Sequence, residues 1–185
     1  MRYFLSISLF LVILNSISFA QKLDFDAELE EIDELLEGAA AYYLDEDKIE
    51  ANNQVLKIFS EILLDPLSFD YPMDSLKRIS VLNSDDGKLR VFTWNLMFDD
   101  LTHKCFVFIQ YKADKDEILT YPLKDFYVER DSMDRKYASY AEWYGAIYYD
   151  VIEKSDRKNT VYTLLGWRGN NLLTQQKIVE TLEFD

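Results

Sequence analysis

The chain has 185 residues and a formal net charge of −14, and 49% of its residues are hydrophobic. So large an apolar fraction excludes a disordered chain, and the acidic balance argues against nucleic acid and anionic membrane surfaces as partners. A single cysteine excludes an intramolecular disulfide framework and a cysteine-rich metal site, and a single histidine removes most zinc and histidine-base chemistry.

The first twenty residues have the pattern of a signal peptide. Arg2 supplies a positive charge, an apolar run extends from Phe4 to Ile17, and Ser18-Phe19-Ala20 places small residues where signal peptidase cleaves. The run is too short to span a bilayer comfortably. We therefore expect an exported, periplasmic or extracellular protein that begins at Gln21 and has no membrane span. A lipid anchor on an N-terminal cysteine is excluded, because the single cysteine is Cys105.

Residues 21–65 are predicted to form an acidic helical hairpin, with 14 Asp and Glu residues against three Lys residues. Apolar residues recur at spacings of three and four, which is typical of amphipathic helices. Gly38 either interrupts the first helix or caps its end, and Asp65-Pro66 ends the second. The predicted stripes are Phe25, Leu29, Ile32, Leu36, Ala39 and Tyr43 in the first helix, and Ile49, Asn53, Leu56, Phe59 and Leu63 in the second.

After residue 66 the apolar period falls to two, which predicts an antiparallel β domain over residues 66–185. Residues 84–87 predict a hairpin turn, and strand 104–111 is expected to be central because both of its faces are apolar. The predicted fold class is therefore α+β, an N-terminal αα-hairpin packed on a mostly antiparallel sheet of about six to eight strands. The predicted strands are 79–83, 88–96, 104–111, 117–121, 126–129, 143–153, 160–167 and 177–184, with a short helix within 131–142.

The chain ends one residue after its last predicted strand. An edge strand at that place leaves unpaired backbone groups, which proteins usually cover or charge. Two alternatives stay open: either the gene product is truncated at its C terminus, or this strand is paired within the fold.

Several short segments of the predicted β domain stand out. They are Asp86-Gly87-Lys88 with Arg90 and Trp94, residues 108–112, Trp143-Tyr144-Gly145-Ala146 with Tyr148-Tyr149, Leu165-Gly166-Trp167, and Gly169-Asn170-Asn171. Together, over residues 79–184, they resemble an uncharacterised group of exported bacterial proteins. The resemblance implies export and a longer chain than this one, and it assigns no catalytic residue.

The motifs of common enzyme classes are absent: the sequence has no G-x-S-x-G, H-E-x-x-H, P-loop or G-x-G-x-x-G. His103 and Cys105 share a face of a predicted strand, but their apolar neighbours Val107 and Ile109 favour a structural strand over a nucleophilic pair. No catalytic residue, metal ligand or cofactor is therefore predicted. Three carboxylate pairs, for which turn and surface roles are the simpler interpretation, are Asp85/Asp86, Asp99/Asp100 and Asp114/Asp116.

Aromatic residues lie beside amides and arginine in the second half of the chain. Flat rings with polar neighbours suit carbohydrates and peptides, whereas packing in the core is the alternative for the rings. We therefore expect a noncatalytic binding or accessory module that uses exposed aromatic and amide residues to hold a carbohydrate, a peptide or another exported protein. The candidate binding residues are Trp143, Tyr144, Trp167, Arg168, Asn170 and Asn171.

Two other functions stay open. An acid–base hydrolase of the glycosidase type would need two carboxyl groups facing each other across a cleft, at least one with a raised pKa. A structural or interaction module would dock through the acidic helices, and moderate salt would weaken its hold on a partner.

Overall fold

The computed structural model describes residues 23–42, 44–125, 143–156, 159–169 and 173–184. These residues form two contacting helices and two antiparallel sheets, which confirms the predicted α+β class. The helices are α1 (Phe25–Ala41) and α2 (Asp45–Leu64); the strands are β1 (Ser80–Asn83), β2 (Leu89–Met97), β3 (His103–Lys112), β4 (Ile118–Leu123), β5 (Ile147–Ser155), β6 (Thr160–Gly169) and β7 (Gln175–Leu182).

The apolar stripe of α1 is buried as predicted, through Leu29, Ile32, Leu36 and Ala39. Gly38 lies inside the helix and does not end it, because the helix continues to Ala41. The backbone N–H of Tyr42 then bonds the Gly38 carbonyl at 3.0 Å. Tyr43, the last residue of the predicted stripe, lies outside the described residues.

The predicted stripe of α2 is wrong at its N-terminal end. Ile49 is 44% exposed and Asn53 is exposed, whereas the polar residues Lys48 and Asn52 are buried. Lys48 is held by carboxylates, since its Nζ lies 3.0 Å from Asp45 and 2.7 Å from Asp99. The buried face of α2 is therefore rotated from the predicted stripe toward polar residues whose partners lie in the interior. The spacing of apolar residues does not reveal such partners. The buried face continues through Val55, Phe59, Ile62 and Leu63.

The first sheet has the order β1-β2-β3-β4. Its β1–β2 connection is the predicted hairpin turn, where Gly87 has a φ of 68° and its N–H bonds the Ser84 carbonyl at 3.0 Å. A positive φ is a backbone conformation that glycine adopts without cost. Strand β3 lies between β2 and β4, so its predicted central position is confirmed.

The second sheet has the order β5-β6-β7. Strand β5 begins at Ile147, four residues later than predicted, because Arg168 binds the carbonyls of Tyr144 and Gly145 before the strand starts. The last predicted strand is present as β7 and is paired with β6. The predicted strand 126–129 and the helix within 131–142 lie outside the described residues.

The described elements form three layers, with the first sheet between the helices and the second sheet. Phe92, Trp94 and Phe108 of the first sheet pack with the helices in one apolar cluster. Val91 and Val107, on its other face, pack with the second sheet in another. Burial on both faces explains why β2 and β3 carry apolar residues on both faces, and it leaves one face of the second sheet pointing away from the core.

Candidate functional site

The two predicted binding residues of β6, Trp167 and Arg168, lie on opposite faces of that strand. Side chains alternate between the two faces of a strand, so the neighbours Trp167 and Arg168 point in opposite directions. Arg168 is buried on the core side, whereas Trp167 is partly exposed on the other. Asn170 and Asn171 lie outside the described residues. The candidate residues therefore do not form one continuous surface around β6.

Trp143 is 5% exposed, so the prediction that it is displayed at the surface is wrong. Its indole Nε1 donates to the Tyr148 hydroxyl at 2.7 Å and lies 3.2 Å from Oε2 of Glu180. The Tyr148 hydroxyl also donates to Glu180. Burial raises the pKa of the Glu180 carboxyl, although the bond from Trp143 acts in the opposite direction. Trp143 thus packs between the two sheets, because its polar atom has partners there.

Arg168 is 2% exposed, and its predicted exposure is also wrong. Its Nη1 lies 3.1 Å from Oδ2 of Asp125, and the two side chains are 3% and 4% exposed. The same nitrogen donates to the carbonyls of Tyr144 at 2.7 Å and Gly145 at 2.9 Å. Asp125 also accepts the backbone N–H of Cys105 at 3.0 Å. Arg168 therefore joins the 143–146 segment to both sheets.

Tyr144 lies over this ion pair and is only partly exposed. The guanidinium carbon of Arg168 is 5.4 Å from the centre of its ring, and its hydroxyl donates to Gln176 at 2.8 Å. Gly145 has a φ of 89°, and a side chain there would collide with Arg168 and Asp125. The segment Tyr144-Gly145 is therefore shaped by the buried arginine, and one face of the tyrosine ring is occupied.

Trp167 is the one predicted aromatic residue that points away from the core. The His103 ring meets it edge-on, with the ring centres 5.7 Å apart, and its Nε1 donates to Gln175 at 2.9 Å. His103 Nδ1 lies 2.9 Å from the Asn95 amide nitrogen. Burial, and then the charge of Arg168, hold the pKa of His103 below its usual range. These contacts fix the Trp167 ring at the end of the second sheet.

The register of the second sheet places further side chains on the same face as Trp167. Leu165, two residues earlier on β6, pairs with Asp150 on β5 and Val179 on β7. Cross-strand partners share a face, so the side chains of β5 and β7 that pair with Trp167, Leu165 and Thr163 form one surface with them. We call it the outer face, and it comprises Tyr149, Asp150, Ile152, Thr163, Leu165, Trp167, Lys177 and Val179.

Large apolar side chains are exposed on the outer face. Val179 is 68% exposed, and Tyr149 and Ile152 are each 51% exposed, so no described element covers them. The Lys177 ammonium lies 5.0 Å from the centre of the Tyr149 ring, which sits at an irregularity in the β5–β6 pairing. Analysis of the sequence missed this surface. Strand alternation alone would place Tyr149 and Ile152, three positions apart, on opposite faces; they share a face because the β5–β6 register shifts between Tyr148 and Asp150.

The potential nucleophile Cys105 lies in the core between the sheets. Burial raises the pKa of its thiol to about 12. Because the thiolate is the reactive form of cysteine, the structure favours the structural interpretation of the His103 and Cys105 pair. The part of the chain that the structure describes contains no group of three or more His, Cys, Asp or Glu side chains that could hold a metal ion.

The predicted carboxylate pairs make turn and surface contacts. Asp86 accepts hydrogen bonds from the Ser84 hydroxyl at 2.5 Å and the Tyr162 hydroxyl at 2.7 Å. Burial alone would raise the pKa of Asp86, but bonds from Ser84, the Lys88 N–H and Tyr162 lower it. An ionised carboxylate with these partners is suited to holding a turn. In the other pairs, Asp99 binds Lys48, Asp100 accepts from Thr102, and Asp116 pairs with Lys112.

Among the described residues, neither helix combines the length and the apolar character that a membrane span requires. Comparison with known proteins found no family, no curated protein and no solved structure that matches the chain.

Proposed function

We propose that this chain is a noncatalytic, exported binding protein that holds another exported protein on its outer face. The observation that carries the proposal is the exposure of Val179, Tyr149 and Ile152 together on one side of a three-stranded sheet. Apolar side chains scattered singly over a surface are normal, but a group of them on one face is typical of an interaction site.

The composition of the outer face favours a protein over a carbohydrate. Sugars are held by stacking on aromatic rings and by hydrogen bonds from free polar groups. Here aliphatic side chains, Leu165 and Val179, lie beside Trp167, and the indole N–H of Trp167 already donates to Gln175. Aliphatic and aromatic groups surrounded by polar ones are the usual arrangement of a protein interface.

Charges around the apolar residues suggest the chemistry of the partner. Lys177 lies on the outer face, and Lys154 lies two residues beyond Ile152 on the same side of β5. Asp150 supplies a carboxylate in the same cross-strand row as Leu165 and Val179. This surface is thus less acidic than the whole chain, whose formal net charge is −14. The expected partner has an apolar patch bordered by acidic groups, which would face these lysines.

Photo-crosslinking tests the outer face directly. We would place p-benzoylphenylalanine at position 179 and, as a matched control, at position 64 of α2, because Val179 and Leu64 are 68% and 72% exposed. In cells of the source organism, the first variant should form a crosslinked product with an exported protein that the control does not form. Equal products from both positions, or a product joining two copies of this chain, would contradict the proposal.

The captured partner then allows a quantitative measurement. Val179→Asp should weaken binding at least about tenfold, because a carboxylate would be desolvated in the interface. Leu64→Asp should leave the dissociation constant unchanged. If instead Trp167→Ala abolishes the binding of an oligosaccharide and Val179→Asp does not weaken binding of the protein, the outer face is a carbohydrate site and this proposal fails.

Export rests on the predicted leader and on the resemblance to exported bacterial proteins, and it has its own test. The chain expressed with residues 1–20 in a bacterial host should be recovered outside the cytoplasm with Gln21 as its first residue, as mass spectrometry would show. Recovery from the cytoplasm with the leader uncleaved would contradict export, and it would leave the test of the outer face unaffected.

A further inference from the structure

A small cleft opens between the chain segment 69–74 and the first sheet, on a part of the molecule separate from the outer face. Its volume is about 250 Å³, and Val81, Asn83 and Arg90 line it from β1 and β2. Binding sites for drug-sized molecules usually measure roughly 300–1,000 Å³. This cleft is therefore of a size for a smaller molecule.

Arg90 brings a buried positive charge to the cleft. The residue is 6% exposed, and its Nη1 donates to the carbonyls of Ser68 at 2.8 Å and Phe69 at 2.6 Å. Its Nε donates to Oδ1 of Asn83 at 3.1 Å. These bonds hold the 68–71 segment against the sheet, so part of the guanidinium serves the fold.

The guanidinium carbon also lies 5.1 Å from the centre of the Phe92 ring, but the second terminal nitrogen, Nη2, has no hydrogen-bond partner within the described residues. Nη2 donates to none of their oxygen atoms, and none of their carboxylates forms an ion pair with Arg90. A guanidinium remains charged in a protein even when burial lowers its pKa, as it does for Arg90. A buried charge with an unused donor that lines a cleft is a recognition group for a carboxylate.

Two exposed carboxylates, Asp70 and Asp74, line the same cleft. They act on the Arg90 charge through space and do not contact it. A simple anion would be attracted by Arg90 and repelled by two aspartates, whereas a simple cation would be attracted by the aspartates and repelled by the arginine. A molecule that carries both charges avoids both penalties.

We propose that this cleft binds a small zwitterion of the free α-amino acid class, with its carboxylate on Nη2 of Arg90 and its ammonium group toward Asp70 and Asp74. The volume of the cleft selects amino acids with small side chains. The segment 69–74 supplies both aspartates, and Arg90 holds that segment in place, so the same residue positions the site and contacts the ligand.

The test is a titration of the folded protein followed by two-dimensional ¹H–¹⁵N NMR, with glycine as the probe. Glycine should shift the backbone amide signals of Asp70, Tyr71 and Asn83 in a saturable manner. Acetate and methylammonium, which each carry one of the two charges, should bind at least about tenfold more weakly. Equal affinity for acetate would identify an anion site, equal affinity for methylammonium a cation site, and absence of any shift an empty groove, and each result would overturn the proposal.

Variants of the exposed acids keep the test independent of folding. Asp70→Asn combined with Asp74→Asn should lower the affinity for glycine by about tenfold or more, and should leave the affinity for acetate equal or higher. Asp114→Asn, an exposed acid outside the cleft, is the matched control and should leave the affinity for glycine unchanged. Unchanged glycine affinity in the double variant would contradict the role of the aspartates.

Discussion

The indole N–H of Trp94 donates to the side-chain oxygen of Asn52 at 2.8 Å, inside the layer between α2 and the first sheet. Trp94 is 2% exposed and Asn52 is 2% exposed, so water satisfies neither group. This bond joins the middle of β2 to the buried face of α2. It explains why a polar residue occupies a helical position that would otherwise be apolar.

Removing this hydrogen bond should destabilise the fold. Asn52→Ala leaves the Trp94 N–H buried without an acceptor, which costs about 1–3 kcal/mol. Asn53→Ala, at the neighbouring exposed position of the same helix, should change the free energy of unfolding by less than about 0.5 kcal/mol. Urea unfolding of both variants measures the difference. Equal stabilities would show that the bond contributes nothing.

Removing the buried partner of Arg168 should cost more. Asp125→Asn removes the carboxylate that pairs with Arg168 in a buried site, and breaking such a pair costs about 3–5 kcal/mol. The control is Asp116→Asn, because the Asp116 side chain is 84% exposed in its ion pair with Lys112 and exposed pairs contribute about 0–1 kcal/mol. Thermal and urea unfolding measure the loss of stability in each of the two variants. A smaller loss for Asp125→Asn than for Asp116→Asn would contradict the assigned burial.

The sequence predicts the fold well where burial follows apolar spacing. Leu29, Ile32 and Leu36 lie inside at the predicted spacing in α1. Strand β3 is central because Val107 and Phe108, on opposite faces, both find an apolar layer. Local pattern and tertiary packing agree in these elements, so the pattern is sufficient.

The prediction fails where a polar group is buried with a partner that is distant in the sequence. Lys48 meets Asp99 across 51 positions, and Arg168 meets Asp125 across 43. No local spacing shows such pairs, so apolar spacing predicts the wrong face of α2 and an exposed Arg168. The prediction of an exposed Trp143 fails for the same reason, since Glu180, a partner of its indole nitrogen, lies 37 positions away.

Cys105 should be unreactive in the folded protein. It is 1% exposed, and burial raises the pKa of its thiol to about 12, so thiolate is scarce at neutral pH. Iodoacetamide at pH 8 should label Cys105 less than about a hundredth as fast in buffer as in concentrated urea. The reason is that raising the thiol pKa from 9.0 to about 12 lowers the thiolate fraction at pH 8 by more than about a hundredfold. Mass spectrometry of the alkylated chain measures both rates. Equal rates would contradict the buried position.

Glu180 makes the stability of the fold depend on pH. Burial raises the pKa of its carboxyl above the ordinary value of 4.5. The folded state therefore holds this proton more tightly than the unfolded chain does. Its contribution to stability is complete below the unfolded pKa and is lost as the pH rises through the folded pKa. The bonds from Trp143 and Tyr148 to Glu180 need only an acceptor oxygen, which a glutamine also provides.

Glu180→Gln should consequently gain stability over the original chain as the pH rises. The difference in unfolding free energy between the two proteins should be smallest below pH 4.5, the unfolded pKa, and should grow by about 1.4 kcal/mol for each unit by which folding raises the pKa. Glu183→Gln replaces an exposed carboxyl three residues later and serves as the control for the loss of one charge. A difference that does not vary with pH, or that shrinks as the pH rises, would show that folding does not raise the pKa of Glu180.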